Sequence, residues 1–199
     1  MLGVKQSFDF LKDLPLAKWV VVKDSADLSR FSFPYFLKVD ISGHKTEGGA
    51  VVRCNSLEEA RINLQKLHQK FPNDLIIAQE SLEGIEMIVG LKEDAVFGKL
   101  LVVGFGGIFA EIKKDVSFRV LPVSRQDVVS MVSELKGVEI FQARGKNYDL
   151  EKFYTLIEKV AILGDKKAIV ELDLNPVMVG EKSSKIVDAR VELTKELFR

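Results

Sequence analysis

Three oxygen-bearing side chains recur at every second position near the end of the chain. Glu171, Asp173 and Asn175 alternate with apolar residues, and Pro176 follows them. In a β-strand this spacing places the polar side chains on one face and the apolar side chains on the other. Asp188 follows a second short apolar run. Carboxylate and amide oxygens grouped this way suit a hard cation such as Mg²⁺, while a solvated strand face is an alternative that spacing alone leaves open.

A polar, glycine-bearing loop is the second candidate site. The segment from Asp40 to Gly49 contains three glycines together with His44 and Lys45, and Lys38 precedes it. Glycines allow close backbone approach to a ligand, and the exposed N–H groups of such loops can cradle phosphate. The two lysines would neutralise phosphate charge, and an imidazole can act as a nucleophile toward phosphorus. The alternative is an exposed loop that carries an incidental histidine.

Two carboxylates lie close to predicted strand ends. Gln79 and Glu80 close a strand that follows the first long helix pattern, and Glu86 alternates with apolar residues in the next strand. Either carboxylate suits the hydroxyl groups of a ribose, and either is equally compatible with plain surface charge.

A third predicted strand carries an acid, a hydroxyl and a guanidinium on one face. These are Asp115, Ser117 and Arg119, which alternate with apolar residues. Arg119 suits bidentate contact with phosphate or carboxylate. A surface ion pair of little energy is the competing interpretation.

The elements that position these residues indicate an α+β fold. Strand patterns surround one helix in the first part of the chain, and short strands with glycine-bearing turns follow between residues 82 and 123, which favours an antiparallel sheet. Two further helices precede the final strands. The predicted helices are 56–71, 124–135 and 149–163. We expect a small lobe at residues 1–77 and a larger sheet-and-helix lobe at residues 78–199; a cleft between such lobes is a usual place for a ligand.

The composition excludes several classes of partner. The chain has 29 basic and 29 acidic residues, so no global field favours nucleic acid or an anionic membrane. No run approaches the roughly 18 apolar residues of a membrane span, and residues 1–13 lack a signal-peptide core. The single cysteine, Cys54, excludes an internal disulfide and fits a reducing cytoplasm. These features predict a cytoplasmic protein without nucleic-acid or membrane partners.

Taken together, the motifs resemble the ATP-grasp domain of NDP-forming acyl-CoA synthetases. They are most similar to the separate β subunit of the archaeal ADP-forming acetyl-CoA synthetases. The resemblance runs from about Leu14 to Leu193. Its motifs, in order, are Phe36–Val39, His44–Gly49, Gln79-Glu80, Gly84–Gly90, Phe97-Gly98, Gly104–Glu111, Lys114–Arg119, Pro122, Glu171–Pro176 and Val187–Arg190.

The resemblance implies a two-lobed ATP-grasp fold and a specific reaction. Enzymes of this family interconvert acyl-CoA, ADP and phosphate with acid, CoA and ATP. A phosphohistidine on a separate CoA-binding subunit or domain carries the phosphoryl group to the ATP-grasp domain. His44 matches a second histidine that takes part in this relay. The implied partner is a CoA-binding α subunit, expected as an α₂β₂ complex.

The resemblance also assigns the binding residues. Lys38 matches a phosphate-contacting lysine, and Gln79-Glu80 matches the nucleotide hinge between the lobes. Asn175 and Asp188 match the two ligands of Mg²⁺, which leaves Glu171 and Asp173 as supporting groups. The predicted site is therefore His44 as catalytic residue; Lys38, Lys45, Gln79, Glu80, Glu86 and Arg119 for ADP or ATP; and Asn175 and Asp188 for the metal.

Two alternatives stay open at this point. The chain shows no resemblance to the CoA-binding and ligase domains, so we expect no acyl-CoA synthesis by this chain alone. It is then either one subunit of a heteromeric ligase or a non-catalytic, regulatory nucleotide-binding module. A ligase subunit for another acid, such as succinate, is a further candidate.

Overall fold

The computed structural model describes residues 1–41, 49–107, 115–165 and 168–194, without the side chain of residue 144. Packing divides the chain into two units, defined here as the large unit (Met1–Leu2, Phe10–Leu16 and Glu83–Arg199) and the small unit (Gly3–Asp9 and Ala17–Leu82). The boundary expected between residues 77 and 78 falls inside a strand, whereas these units separate after Leu82. The assignment of residues 1–77 and 78–199 to two functional lobes stays a prediction.

The small unit is built on a four-stranded antiparallel sheet. Its strands lie in the order β1-β4-β2-β3. The elements are α1 (Val4–Phe10), β1 (Trp19–Val21), a 3₁₀ turn (Asp27–Ser29), β2 (Tyr35–Val39), β3 (Val51–Cys54), α2 (Leu57–Lys70) and β4 (Ile76–Glu80). Of these, α1 (Val4–Phe10) had no clear sequence pattern, since short apolar clusters mix with charges there.

Helix α2 begins at the cap that its sequence predicts. The Ser56 hydroxyl accepts the backbone N–H of Glu59 at 3.2 Å, which satisfies one of the free donors of the first turn. The buried face of α2 joins a hydrophobic core with the strands. On β2, Tyr35, Leu37 and Val39 contribute to that core, so Lys38 belongs to the other face of the sheet.

The large unit is built on a second antiparallel sheet. The order is β10-β8-β5-β6-β7, and β9 also pairs with β8. The elements are β5 (Ile85–Asp94), β6 (Gly98–Phe105), β7 (Val116–Val120), α3 (Arg125–Ser133), a 3₁₀ segment (Val138–Gly145), α4 (Leu150–Gly164), β8 (Ile169–Val179), β9 (Ser184–Ile186) and β10 (Ala189–Leu193).

The two faces of the large sheet differ in character. Leu91, Leu101 and Leu172 lie opposite one another in register, and each is at most 1% exposed. Helices α3 and α4 pack on this side, which we call the helix face. The intervening residues Lys92 and Glu171, also in register, point to the other side, which we call the open face.

Some sequence predictions lie outside the described residues. Residues 108–114, which belong to the predicted series of short strands between residues 82 and 123, are among them. In the described ranges, no helix combines the length and apolar character needed to cross a membrane.

The two-faced sheet gives a stability prediction. Leu91→Ala removes a buried side chain from the central strand β5, so we expect a loss of about 2–5 kcal/mol in the free energy of unfolding. The neighbouring Lys92→Ala changes an exposed side chain and should stay within about 0.5 kcal/mol of the parent. Urea unfolding followed by circular dichroism measures both; similar losses for the two variants would contradict the assigned faces.

Candidate functional site

Strand β8 changes register at the position where the predicted metal ligand lies. Val89 of β5 pairs with Leu174, but Met87 pairs with Val177, so β8 contains one more residue than its partner over this interval. This is the geometry of a β-bulge, which often re-aims side chains beside functional sites. Asn175 and Pro176 are the two residues of β8 that lie between the paired positions Leu174 and Val177. Proline suits a bulge because it has no N–H to donate to the neighbouring strand.

The bulge brings the two predicted metal ligands together. The backbone N–H of Asn175 donates to the carbonyl oxygen of Asp188 at 3.2 Å, and the N–H of Val187 donates to the carbonyl of Pro176 at 3.0 Å. The Asp188 carboxylate is oriented in part by the N–H of Ala189, which donates to Oδ1 at 3.0 Å. An amide and a carboxylate thus come from directly adjacent backbones.

This donor set fits Mg²⁺. Mg²⁺ keeps several waters and is usually held by one or two carboxylates plus substrate phosphates, not by a full protein cage. The described residues contain no cluster of three or more His, Cys, Asp or Glu side chains arranged to hold a metal. The pair Asn175 and Asp188 would hold the ion, and the ion would supply positive charge to bound phosphate.

Asp173 lies beside this pair and is electrostatically different from its neighbours. Burial raises the pKa of its carboxyl, and the nearby Asp188 and Glu171 carboxylates add to the rise, while Arg190 opposes it. Arg190 is the cross-strand partner of Asp173. The positive charge of Arg190 therefore offsets the repulsion between the Asp173 carboxylate and its two acidic neighbours. Asp173 fits a role in support of the proposed metal ligands.

Glu86 belongs to the open face and lies against a glycine turn. It is exposed, and its backbone carbonyl accepts the N–H of Gly106 at 2.7 Å. Gly107 has a φ of +57°, and a Cβ at this position would overlap Glu86 Oε2. Glycine is required here both by the left-handed conformation and by the adjacent carboxylate.

In the small unit, Lys38 and Gln79 share one face of the sheet. Lys38 pairs with Ile77, and Phe36 pairs with Gln79, which makes Lys38 and Gln79 diagonal neighbours on adjacent strands. Lys38 is 5% exposed and Gln79 is fully buried. Neither polar atom of the Gln79 side chain has a hydrogen-bond partner in the described part of the chain, and a buried amide in that state calls for a missing water or ligand.

Glu80, the next residue, is engaged with the neighbouring strand. Its side chain accepts the backbone N–H of Lys18 at 2.7 Å, and its own N–H donates to the Lys18 carbonyl at 3.0 Å. These two bonds fix the end of β4 against the start of β1.

Arg119 lies on the helix face, opposite to the predicted metal ligands. It pairs with Leu101 across β7 and β6, and Leu101 is on the side covered by the helices. Its guanidinium forms an ion pair with Glu134, which also accepts the Ser117 hydroxyl at 3.0 Å. The structure thus shows Arg119 in an ion pair, which is one of the two alternatives that the sequence left open. Its contact with a nucleotide stays a prediction.

Two contacts of β7, those made by Asp115 and by Glu134, could not be identified from the sequence. Asp115, 6% exposed, accepts the backbone N–H groups of Lys136 and Gly137 at 3.0 and 2.9 Å. Glu134 follows the end of α3, and no local pattern links it to a strand fifteen residues earlier. Together these contacts fasten β7 to the segment after α3. The predicted His44 and Lys45 lie outside the described residues.

Comparison with known proteins now defines the class of protein. A family model described as an ATP-grasp domain matches residues 13–193. The chain therefore belongs to the ATP-grasp domain family, and the predicted α+β ATP-grasp fold is confirmed.

Comparison with individual proteins narrows the relationship further than the family model does. The chain is 34% identical over 201 residues to acetate–CoA ligase (ADP-forming) I subunit beta of Pyrococcus furiosus, which covers 92% of this chain and 87% of that subunit. It is 37% identical over 164 residues to acetate–CoA ligase (ADP-forming) II of Archaeoglobus fulgidus, covering 80% of this chain but only 24% of that protein. The chain thus spans about a quarter of the longer relative.

A solved structure also matches. It is acetyl-coenzyme A synthetase 1 of Ca. Korarchaeum cryptofilum in complex with coenzyme A and Mg-AMPPCP, with a phosphohistidine segment pointing towards the nucleotide binding site. The TM-score is 0.85 at 31% sequence identity, and the match covers 96% of this chain and 92% of that one. The predicted relationship to ADP-forming acetyl-CoA synthetases is confirmed.

The ion pair on the helix face gives a pH-dependent prediction. The hydrogen bond from Arg119 lowers the pKa of the Glu134 carboxyl, and the Ser117 hydroxyl adds to the effect. A carboxyl with a lowered folded-state pKa contributes stability above its unfolded-state pKa and loses it as the pH falls through the folded value. Glu134→Gln should therefore be less stable than the parent at pH 7, and the difference should shrink between about pH 5 and pH 3.

Urea midpoints across that pH range measure the effect. Glu139→Gln, an exposed site in the segment after α3, is the matched control and should follow the parent throughout. If the difference in urea midpoint between Glu134→Gln and the parent stays constant down to pH 3, the ionic contact is refuted.

Proposed function

We propose that this chain is the nucleotide-binding β subunit of an ADP-forming acetate or acyl-CoA ligase. In the overall reaction, acyl-CoA, ADP and phosphate give acid, CoA and ATP. The chain corresponds to most of a separate Pyrococcus β subunit but to about a quarter of a longer Archaeoglobus relative. The name of the Pyrococcus relative, subunit beta, supports a role as one component of a ligase; the other component would bind CoA.

The observation that carries the proposal is the backbone pairing of Asn175 with Asp188 at the β8 bulge. Phosphoryl transfer depends on positioning and charge neutralisation more than on covalent work by the protein. Two oxygen ligands on adjacent backbones suit Mg²⁺ that arrives with a nucleotide. The Mg-AMPPCP bound by the Korarchaeum relative supports the same choice of ion and ligand.

The nucleotide-binding residues that we propose belong to both units. In the small unit, Lys38 would neutralise phosphate, and the unpaired amide of Gln79 would gain a hydrogen-bond partner from the nucleotide. Glu80 and Lys45 complete that set. In the large unit, Glu86 would accept ribose hydroxyls beside the glycine turn. Arg119 joins the set only if it exchanges Glu134 for phosphate.

His44 is the proposed catalytic residue. In the relay assigned to it, an imidazole nitrogen of His44 forms an N–P bond as the N–P bond of the partner's phosphohistidine breaks. The His44 N–P bond then breaks as a β-phosphate oxygen of ADP forms the new P–O bond of ATP. Mg²⁺ and the lysines would stabilise the negative charge on the transferred group. The histidine acts in covalent phosphoryl relay, which is a known mode of nucleophilic catalysis.

The partner that we propose is a CoA-binding α subunit in an α₂β₂ assembly, located in the cytoplasm. The phosphohistidine segment of the Korarchaeum relative supports a visiting phosphoryl carrier. The acid is assigned only as acetate or another carboxylic acid that forms an acyl-CoA. An enzyme for a different acid, such as succinate, would place the difference mainly on the partner subunit.

The metal pair gives a binding prediction. Asn175→Ala and Asp188→Ala should each weaken Mg·ADP binding by about tenfold or more, because each removes one oxygen ligand. Glu58→Gln, which changes an exposed carboxylate of α2 outside the proposed site, is the matched control and should bind as the parent does. Isothermal titration calorimetry of the whole chain measures all three. Equal affinity of the parent and Asp188→Ala would contradict the metal assignment.

The relay gives a turnover prediction. With the CoA-binding subunit encoded in the same genome, the parent chain should form ATP from acetyl-CoA, ADP and phosphate, and neither subunit should do so alone. His44→Ala should abolish turnover while retaining Mg·ADP binding, because the relay and not the nucleotide pocket is removed. His68→Ala, which changes the second histidine of the chain, is the control. Mg·ADP binding with no partner-dependent turnover would instead favour the regulatory module.

A further inference from the structure

We propose that the large unit has a second, separate binding site, for a small phosphate-bearing molecule. A cavity of about 460 Å³ lies between the first turns of α4 and the β8–β9 connection, with Pro15 at its border. Its volume is within the range of about 300–1,000 Å³ that is usual for small-molecule sites. Neither Asn175 nor Asp188 belongs to its lining, and the existence of this site does not depend on the proposed nucleotide function.

The lining of this cavity is positively charged, although the whole chain is neutral. Its four lysines are Lys152, Lys159, Lys182 and Lys185, and its two acids are Asp149 and Glu151. One of these acids is neutralised from outside the cavity, because Glu151 Oε2 accepts a hydrogen bond from Arg125 at 2.6 Å. A concentration of one charge sign in a concave site raises the local concentration of counter-ions.

Lys152 holds the two walls of the cavity together. Its Nζ donates to Asp149 Oδ2 at 2.6 Å and to the carbonyl oxygen of Lys182 at 2.8 Å. The first contact lies within α4, and the second reaches across to the β8–β9 connection. One side chain therefore contacts both walls of the cavity, and Lys159, Lys182 and Lys185 line it as well.

A buried hydroxyl in the lining has no partner. Ser184 is 3% exposed, and its Oγ makes no hydrogen bond within the described residues. A buried, unsatisfied hydroxyl costs free energy unless a water or ligand completes it. Ser183 and Thr155 add two further hydroxyls to the lining. Lysine ammonium groups combined with hydroxyl donors are a usual means of holding phosphate oxygens.

The N-terminus of α4 adds to this environment. Asp149 caps the helix by accepting the N–H of Lys152 at 3.1 Å, and the lining residues Glu151, Thr155 and Lys159 follow on the first three turns. The helix dipole favours negative charge at this end. The dipole, the lysine excess and the unpaired hydroxyl are three separate features that all favour a compact anion of high charge.

The test uses inorganic pyrophosphate as the probe, with EDTA present so that no divalent metal recruits it to the proposed nucleotide site. Lysine acetylation of the whole chain, followed by mass spectrometry, reports where the probe binds. We expect protection of Lys159 and Lys182, with no protection of the exposed Lys12. The protection should decrease with added salt, because ionic contacts near a surface are screened.

Variants provide the second measurement. Calorimetry should show that the double change Lys159→Gln and Lys182→Gln weakens pyrophosphate binding by about tenfold. Ser184→Ala should also weaken it, while unfolding midpoints stay close to the parent because the hydroxyl has no partner to lose. Lys12→Gln is the matched charge control and should leave the affinity unchanged.

Three results would overturn the proposal: no saturable pyrophosphate binding, equal protection of Lys12, or an equal loss of affinity in Lys12→Gln. A poly-glutamate peptide that binds at this cavity when pyrophosphate does not would overturn it too, since the site would then accept an acidic protein segment. Loss of Mg·ADP binding or of ligase turnover would not affect the result, so the two proposals fail independently.

Discussion

The register change in β8 is the constraint on which the candidate site depends. β8 pairs with β5, β9 and β10, and a strand with so many partners has little freedom to present polar groups. The bulge at Asn175 and Pro176 resolves this conflict, since proline donates nothing to the ladder. The released backbone positions are satisfied by the segment around Asp188, through the Asn175–Asp188 and Val187–Pro176 hydrogen bonds. The two proposed metal ligands thereby lie on backbones that are hydrogen-bonded to each other.

The same register change keeps the apolar side of β8 buried both before and after Asn175. Before the bulge, Leu172 and Leu174 face the helices, and after it Val177 and Val179 do so, all of them nearly unexposed. Without the extra residue, the later valines would turn to the open face. The hydrophobic pattern of the strand and the placement of Asn175 are thus two consequences of one backbone feature.

The two faces of the large sheet carry different groups of polar residues. The open face carries Glu86 and the Asn175 region, whereas the helix face carries Arg119 with Glu134. An arginine held by a carboxylate and a neighbouring hydroxyl mainly secures β7 to the end of α3. The pair is largely exposed and pairs of this kind contribute little energy, but Arg119 would still have to leave Glu134 before it could contact phosphate.

Much of this architecture could be predicted from the sequence because its causes are local. Alternation along β8 indicated the faces of Glu171 and Asn175. The predicted starts of α2 at residue 56 and of α3 at residue 124 coincide with their capping serines. The bulge itself could not be predicted from the sequence, because it is defined by how β8 pairs with β5. The partners of Asp115 and Arg119 and the lysine-lined cavity were hidden for the same reason: each joins residues that are distant in the sequence. Helix α1 lacked a periodic pattern of its own.

The central claim is that Asn175 and Asp188 together hold the metal of a bound nucleotide. A crystal structure of the chain with Mn²⁺ and ADP, with anomalous scattering data collected for manganese, tests it most directly. The account predicts an anomalous peak at about 2.1 Å from a side-chain oxygen of each residue, since the two ions share similar oxygen coordination. Clear density for the nucleotide with the metal bound elsewhere, or with neither residue in contact with it, would contradict the account.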